Sequence, residues 1–231
     1  MKKRILINIL LFSATLFSQN KNPSVGFIEN KGQLIDQNSK PNNSVKYLLN
    51  TNGLNVQLRE NGFSYDIYET KKHKLSKKEI AEQNPFPEMI QEKGKIQDYK
   101  LEYIYHRIDI DFVNSKKNVT LKVEEKSTDY DNYYNVIGKP EGVLNVHKYK
   151  QVTYENIYPN IDVVFSIPND SLKPVEYNFV VKPSGKISDI QLKFNGAKTE
   201  LIDNKIKINV RFGAMEEVLP MSWIENGKSS T

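Results

Sequence analysis

Apolar and polar residues alternate with a period of two through most of this chain, and that alternation limits the fold more than any other feature. A half-buried strand sends successive side chains to opposite faces, so an apolar residue at every second position marks one packed and one wetted face. Leu54, Val56 and Leu58 point one way, while Asn55, Gln57 and Arg59 point the other. Asn61-Gly62 follows as a hairpin turn, both residues tolerating positive φ. The return strand then puts Phe63, Tyr65 and Ile67 on the buried face and Ser64, Asp66 and Tyr68 outside. Asn52-Gly53 turns the chain back to Val45–Asn50, which completes a three-stranded meander.

The segment 71–97 interrupts the alternation. Ser76-Lys77-Lys78-Glu79 fits a capping box, in which Ser76 and Glu79 satisfy free amide donors at a helix start. Pro85 disfavours helical geometry at Asn84, so the helix is expected to stop there. Lys71, Lys72, Lys74, Lys77 and Lys78 are followed by Glu79 and Glu82, which reads as a solvated face.

Strands resume at Tyr99. Leu101, Tyr103 and Tyr105 share one parity, whereas Ile108, Ile110 and Phe112 share the other. The change at His106-Arg107 predicts a β-bulge or sharp bend. Further alternating runs are Val119/Leu121/Val123, Ile161/Val163/Phe165/Ile167, Val175/Tyr177/Phe179/Val181, Ile190/Leu192/Phe194 and Ile206/Ile208/Val210/Phe212. Asn169-Asp170, Pro183-Ser184-Gly185, Asn195-Gly196 and Asp203-Asn204 punctuate them as turns. The pattern is that of an antiparallel all-β protein, a β-sandwich or two stacked β lobes with one short helical insertion. It excludes a parallel α/β enzyme fold.

The beginning of the chain carries an address. Lys2, Lys3 and Arg4 precede the apolar stretch Ile5–Phe17, and Ser18 suits a small-residue cleavage position. A bilayer-spanning helix wants roughly 20 residues, which the 13 of Ile5–Phe17 do not supply. Residues 1–18 are therefore expected to be a signal peptide, and residues 19–231 a β-rich module exported to the periplasm, cell surface or extracellular space. After cleavage no membrane-spanning segment is expected. Lys2, Lys3 and Arg4 are three of the 33 basic residues; without them the excess over 28 acids falls from +5 to +2. With Arg confined to positions 4, 59, 107 and 211, the forks and basic faces of a nucleic-acid reader are lacking. The absence of Cys excludes disulfides, cysteine-ligated metals and a thiol nucleophile.

The motifs for chemistry are sparse. His73, His106 and His147 lack the close spacing of a metal-binding pair, and structural or solvent roles are expected for them. Asp109 and Asp111 project from one strand face. Asp129, Asp131 and Asn132 place hard oxygen ligands at near-alternate positions, which suits Ca²⁺, although the ligand count is below the usual 6–8. Two carboxylates about 5–9 Å apart would suit a glycoside hydrolase, yet no Gly-x-Ser-x-Gly or His-Glu-x-x-His string occurs. Tyrosine stands out: nine of thirteen lie between Tyr99 and Tyr158. Tyr130, Tyr133 and Tyr134 are the candidates for a sugar-stacking or protein-anchoring platform, with strand packing the competing role.

Three strings stand out: Phe27-Ile28-Glu29-Asn30-Lys31-Gly32-Gln33, Asn132-Tyr133-Tyr134-Asn135-Val136-Ile137-Gly138 and, most specific, the run from Tyr154 to Phe165 containing Ile157-Tyr158-Pro159-Asn160-Ile161-Asp162. Together they resemble a β-rich N-terminal domain of exported Bacteroidota proteins, a domain of unknown function that precedes SBBP repeats or gliding-motility-associated C-terminal domains. Val175–Pro183 and Ile190–Ala197 continue the likeness. The resemblance implies a cell-surface or envelope location and supplies no reaction. Where such relatives carry Gly, this chain has Asn160; Pro159 presets φ at the turn, Asn160 should take positive φ, and Asp162 should cap the turn through backbone amides. Asn178 stands where many relatives have Asp. Asp170-Ser171-Leu172 resembles an O-glycosylation site of such bacteria at Ser171. Asn42, Asn118 and Asn169 begin N-x-Ser/Thr strings of little weight in a bacterial context. Trp223–Gly227 resembles a late hairpin after which the relatives continue, so the module is expected to be truncated before C-terminal repeats.

The reading is a non-enzymatic exported module, structural or adhesion-like, in a cell-surface protein. Its partner would be a surface glycan or another envelope protein. The alternative is a carbohydrate-binding module using exposed tyrosines, and a glycoside hydrolase ranks behind both.

Overall fold

The structure is a computed structural model that describes residues 24–83, 98–169 and 173–219. The expected meander is present as β2 (Val45–Thr51), β3 (Leu54–Arg59) and β4 (Gly62–Lys74), in antiparallel register with Val56 opposite both Leu49 and Tyr65. β5 (Tyr99–Phe112) pairs along the whole of β4, from Gly62 opposite Asp111 to Lys74 opposite Tyr99. The strand ladder therefore continues through Lys74, beyond the point where the sequence suggested that the insertion starts.

At the far end of this hairpin sits α1 (Lys77–Gln83). Its capping box is formed: Glu79 accepts from the Ser76 amide at 2.8 Å, and the Glu79 amide donates to Ser76 Oγ at 3.3 Å. The Asn84-Pro85 stop lies outside the described residues, as do the leader 1–18, Ser171 and Trp223–Gly227.

The second half of the sheet is built on β9 (Lys148–Tyr158), with β10 (Ile161–Ser166) and then β11 (Glu176–Val181) beyond one edge and β6 (Thr120–Lys126) at the other. The three-residue β1 (Phe27–Glu29) pairs with β9 and with β2, so it joins the two halves. β12 (Leu192–Asn195) closes the opposite end against β5. The order is β11-β10-β9-β1-β2-β3-β4-β5-β12.

One continuous sheet thus curls until its halves face each other. Phe63 on β4 meets Phe165 on β10 and Tyr177 on β11, each with ring centroids 5.1 Å apart. Phe112 on β5 meets Tyr154 on β9 and Phe179 on β11 at 5.8 and 6.2 Å. Leu49, Val56, Leu58, Ile108, Ile110, Val152 and Val163 fill the space between with no exposure. Burial of these side chains contributes about 1.5–3 kcal/mol apiece before entropy is set against it.

A three-stranded sheet of β13 (Lys198–Ile202), β14 (Lys205–Val210) and β15 (Gly213–Val218) packs Ile206, Ile208 and Met215 against this core. Its first hairpin turns at Asp203-Asn204, with φ of 48° and 58°, the two positive values that a type I′ turn requires. β7 (Asp131–Tyr133) and β8 (Val143–Val146) form a separate ribbon. Among the described residues no helix is long and apolar enough to cross a membrane.

Three local expectations need correction. The β4–β5 register is unbroken across His106 and Arg107, so no bulge stands there. The parity change instead marks apolar residues moving to the other face: Ile108, Ile110 and Phe112 enter the core, while Tyr103 and Tyr105 line the outer face.

Nor is Asn61-Gly62 the hairpin turn. Arg59 pairs with Gly62, leaving Glu60-Asn61 as the turn. Gly62 serves a close approach, because a Cβ there would lie 2.2 Å from the Ile110 carbonyl oxygen.

Ser64, expected outside, is fully buried. It points to the outer face, where the Arg107 guanidinium lies against its hydroxyl and Asp109 accepts from it.

Candidate functional site on the outer sheet face

Strict pairing of β3, β4 and β5 brings the outward residues of each strand into one array. Gln57 lies opposite Ser64 and Asn55 opposite Asp66; across the next ladder Ser64 meets Asp109, Asp66 meets Arg107, and Tyr68 meets Tyr105. β12 adds Asn195 beside Asp109.

The polar half of the array is cross-linked. Arg59 Nη2 donates to Asp111 Oδ1 at 2.7 Å, and Asn195 Nδ2 donates to Asp111 Oδ2 at 2.9 Å. Arg107 reaches Asp109 Oδ1 at 3.0 Å, Gln57 Oε1 at 3.0 Å, Ser64 Oγ at 3.0 Å and Asp66 Oδ1 at 3.5 Å. Ser64 Oγ donates to Asp109 Oδ1 at 2.6 Å, and Gln57 Nε2 to Asp66 Oδ2 at 2.6 Å. Burial pushes the Asp66 carboxyl above the ordinary carboxylate range; Arg107 opposes the rise and Asp109 adds to it. A guanidinium presents five donors in a fixed fork, so two of them hold three carboxylates in place.

The aromatic half adjoins it. Tyr68 packs against Tyr103 and Tyr105 with centroids at 5.7 and 5.4 Å. Tyr103 and Tyr105 lie 6.4 Å apart with planes inclined by 25°. Tyr68 is anchored by its hydroxyl to the Thr51 carbonyl at 2.9 Å, whereas Tyr103 and Tyr105 stay 48% and 47% exposed. No sequence motif marks this trio. Its signal in the sequence is the opposite parity of Tyr103 and Tyr105, which there reads as a bend.

The tyrosines singled out from sequence differ in exposure. Tyr130 and Tyr134 are exposed, whereas Tyr133 is half-buried, and burial followed by Asp131 raises its hydroxyl pKa. Tyr130 packs against His147 with centroids 5.7 Å apart and planes inclined by 58°. Among the described residues no ring contact joins Tyr130, Tyr133 and Tyr134.

The oxygens considered for Ca²⁺ have other partners. Lys148, nearly buried, places Nζ 3.1 Å from Asp131 and 3.8 Å from Asp129. Asp129 also accepts from the Ser24 amide at 3.2 Å, and Asn132 Oδ1 accepts from the Asn145 amide at 2.9 Å. An ammonium group thus stands where the carboxylates converge. Among the described residues no group of three or more His, Asp or Glu is placed to hold a metal.

Pro159, Asn160 and Asp162 form a built turn. Asn160 has φ 59°, and its carbonyl accepts from the Lys182 amide at 2.8 Å. Asp162 Oδ1 accepts from the Asn156 amide at 2.7 Å, at a register shift between β9 and β10 where Asn156 has φ 51°. Its other oxygen lies 2.7 Å from Lys182 Nζ.

The Phe27–Gln33 string is also architectural. Asn30 Nδ2 donates to the Asn42 and Val45 carbonyls at 2.8 and 2.7 Å, and Gln33 Nε2 donates to the Glu29 carbonyl at 2.6 Å. It meets Ile137–Lys139 across a shallow cleft of about 530 Å³, where Lys139 Nζ donates to the Lys31 carbonyl.

A family model, described as a domain of unknown function (DUF7948), matches residues 27–231. The chain belongs to the DUF7948 family. That stretch runs from the first residue of β1 through every strand described above, so the curled sheet and the outer-face array both fall inside the DUF7948 domain. No curated protein and no solved structure matches the chain.

Proposed function

We propose that this DUF7948 domain is a non-enzymatic module of an exported bacterial surface protein, adhesion-like in role, and that its contact surface is the outer face of β3, β4, β5 and β12. The sequence supports export through the basic-apolar leader at 1–18. The resemblance to N-terminal domains of exported SBBP-repeat and gliding-associated proteins points to the same envelope or surface address.

The observation that carries the reading is the closed pairing of Arg59 and Arg107 with Asp66, Asp109 and Asp111. A glycosidase needs one protonated and one ionised carboxylate facing each other across a gap for the scissile bond. Here Asp109 and Asp111 are held by guanidinium groups on a sheet face, an arrangement that suits holding a partner rather than cleaving one. Electrostatic complementarity of this kind fixes the orientation of a contact.

Two measurements test the proposal. Protease shaving of intact cells should remove the domain if it is displayed outside. Purified protein should leave glycans, peptides and esters uncleaved over long incubation. Turnover of any of them at enzyme-like rates, or retention of the protein inside the inner membrane, would remove the reading.

A further inference from the structure

The outer face divides into two chemically distinct halves that share β4 and β5. Tyr103 and Tyr105 are aligned two residues apart on one strand, with planes within 25° of each other. Gln57, Asp66, Arg107 and Asp109 continue the same face and are tied to one another. Groups held by mutual hydrogen bonds have already lost their rotamer freedom, so a ligand that meets them costs little further ordering.

We propose that this face binds a neutral glycan chain, its pyranose rings lying against Tyr103 and Tyr105 and its hydroxyls meeting Arg107, Asp66, Asp109 and Gln57. The proposal rests on the adhesion-like reading and names what that surface holds. Sugar C–H faces pack on aromatic rings, while hydroxyls take both donor and acceptor roles. Planar guanidinium and carboxylate groups offer such partners side by side.

The composition of the patch favours a glycan over a protein. Protein interfaces deplete charged residues at their centre, yet Arg107, Asp66 and Asp109 stand directly beside the rings. Exposed aliphatic side chains such as Ile187, Leu201 and Val218 lie on other elements. The charges also favour a neutral ligand. Two guanidinium groups face three carboxylates, and Lys193, opposite Asp111 on the same face, brings this polar array to balance, which suits an uncharged chain; Lys72 lies over the Tyr99 ring, beyond the tyrosine pair.

The test uses the full chain against immobilised arrays of neutral oligosaccharides (gluco-, manno-, xylo- and galacto-configured hexamers), with polygalacturonate hexamers as the acidic arm. Titration calorimetry of any hit follows. A neutral hexamer should bind saturably. Tyr103→Ala and Tyr105→Ala should each weaken it about tenfold, corresponding to about 1.4 kcal/mol. Tyr103→Phe should retain affinity, as should Tyr134→Ala, just beyond the end of β7. Circular dichroism and thermal unfolding of each variant should match the parent, because these rings lie outside the core.

Preferential binding of the acidic arm, or unchanged affinity in both alanine variants, would overturn the proposal. So would a concentration-dependent dimer in sedimentation that Tyr103→Ala abolishes, since the face would then be a homotypic interface. A blank array combined with Tyr103-dependent binding to intact cells would remove the glycan and leave the adhesion-like reading standing. A blank array with no cell binding would remove both.

Discussion

The Tyr154 hydroxyl donates to the main-chain carbonyl of Arg59 at 2.6 Å, with the Gly62 carbonyl 3.3 Å away. One phenol on β9 therefore satisfies the β3–β4 turn from the opposite wall of the core. Burial holds that hydroxyl far above the usual tyrosine range, so it remains a donor at any working pH. Tyr154→Phe keeps the ring packing against Phe112 and Phe165 and removes only the donor. We expect a loss of about 1–2 kcal/mol, the cost of leaving a buried carbonyl unpaired. In urea titrations the midpoint should fall while the slope stays constant.

Glu217 on β15 sits where the small sheet meets the core, and the Tyr177 hydroxyl donates to its Oε2 at 3.1 Å. Burial raises its pKa above the ordinary carboxylate value. The folded state therefore binds this proton more tightly than the unfolded chain does. Stability contributed by the protonated form is complete below the unfolded value of about 4.3 and is lost as pH rises through the higher folded pKa. Glu217→Gln keeps an acceptor for Tyr177 and removes the titration. The variant should be the more stable protein at pH 7, and the difference should shrink towards zero as the buffer is taken down to pH 4. A constant difference across that range would count against the assignment.

Lys148 fills the position between Asp129 and Asp131, and this predicts indifference to calcium. Millimolar CaCl₂ followed by excess EGTA should leave Tm unchanged. Lys148→Met should keep the buried stem packed and strand the two half-exposed carboxylates. We expect it to cost about 1 kcal/mol, below the figure for a fully buried pair because solvent screens these acids. A Tm that rises with CaCl₂ in the parent protein would show a cation where the ammonium is placed.

Asn160 pays a modest strain for φ 59°. Residues with a branched Cβ suffer most in this region, where the cost is roughly 1–2 kcal/mol. Asn160→Val should destabilise by about that amount, whereas Asn160→Gly should lie within about 0.5 kcal/mol of the parent, relief of strain being offset by greater unfolded-state freedom. Equilibrium denaturation of both variants measures the difference. Equal stabilities would show that the turn does not depend on this conformation.

How far the fold was legible follows from which interactions are local. The stripes Leu54/Val56/Leu58 and Phe63/Tyr65/Ile67 identify strands because period two is written into the chain itself. The Ser76 capping box and the positive φ at Asn160 are legible for the same reason, each depending on residues within a few positions. The outer-face array was not legible. Arg59 and Asp111 are 52 positions apart, and Arg107 and Asp66 are 41 apart; only the β3–β4 and β4–β5 registers bring them together. Ser64 reads as a wetted residue until the Arg107 guanidinium is placed against its hydroxyl. Tyr103 and Tyr105 mimic a bend, since an apolar stripe on the outer face and a bulge produce the same change of parity. Sequence directed attention to Tyr130, Tyr133 and Tyr134 because they are adjacent in the chain, yet it is pairing with β4 that groups Tyr103 and Tyr105 with Tyr68.

His106 ties the small sheet to the large one. Its Nδ1 lies 2.9 Å from the Arg211 amide, which can only donate, so Nε2 carries the proton and donates to the Gly196 carbonyl at 2.9 Å. Both contacts span the start of β13 and the end of β14, while the strand that carries His106 is locked into the β4 ladder. His106→Ala should therefore loosen the β13–β15 sheet before it affects the rest. Hydrogen exchange should accelerate at amides between Lys198 and Val218 by the factor of about 10 that corresponds to 1.4 kcal/mol of local opening. Amides of Phe63, Tyr65, Ile108 and Ile110 should keep their protection. Uniform acceleration over both sheets would mean that they unfold as one unit and that the histidine supports global stability instead.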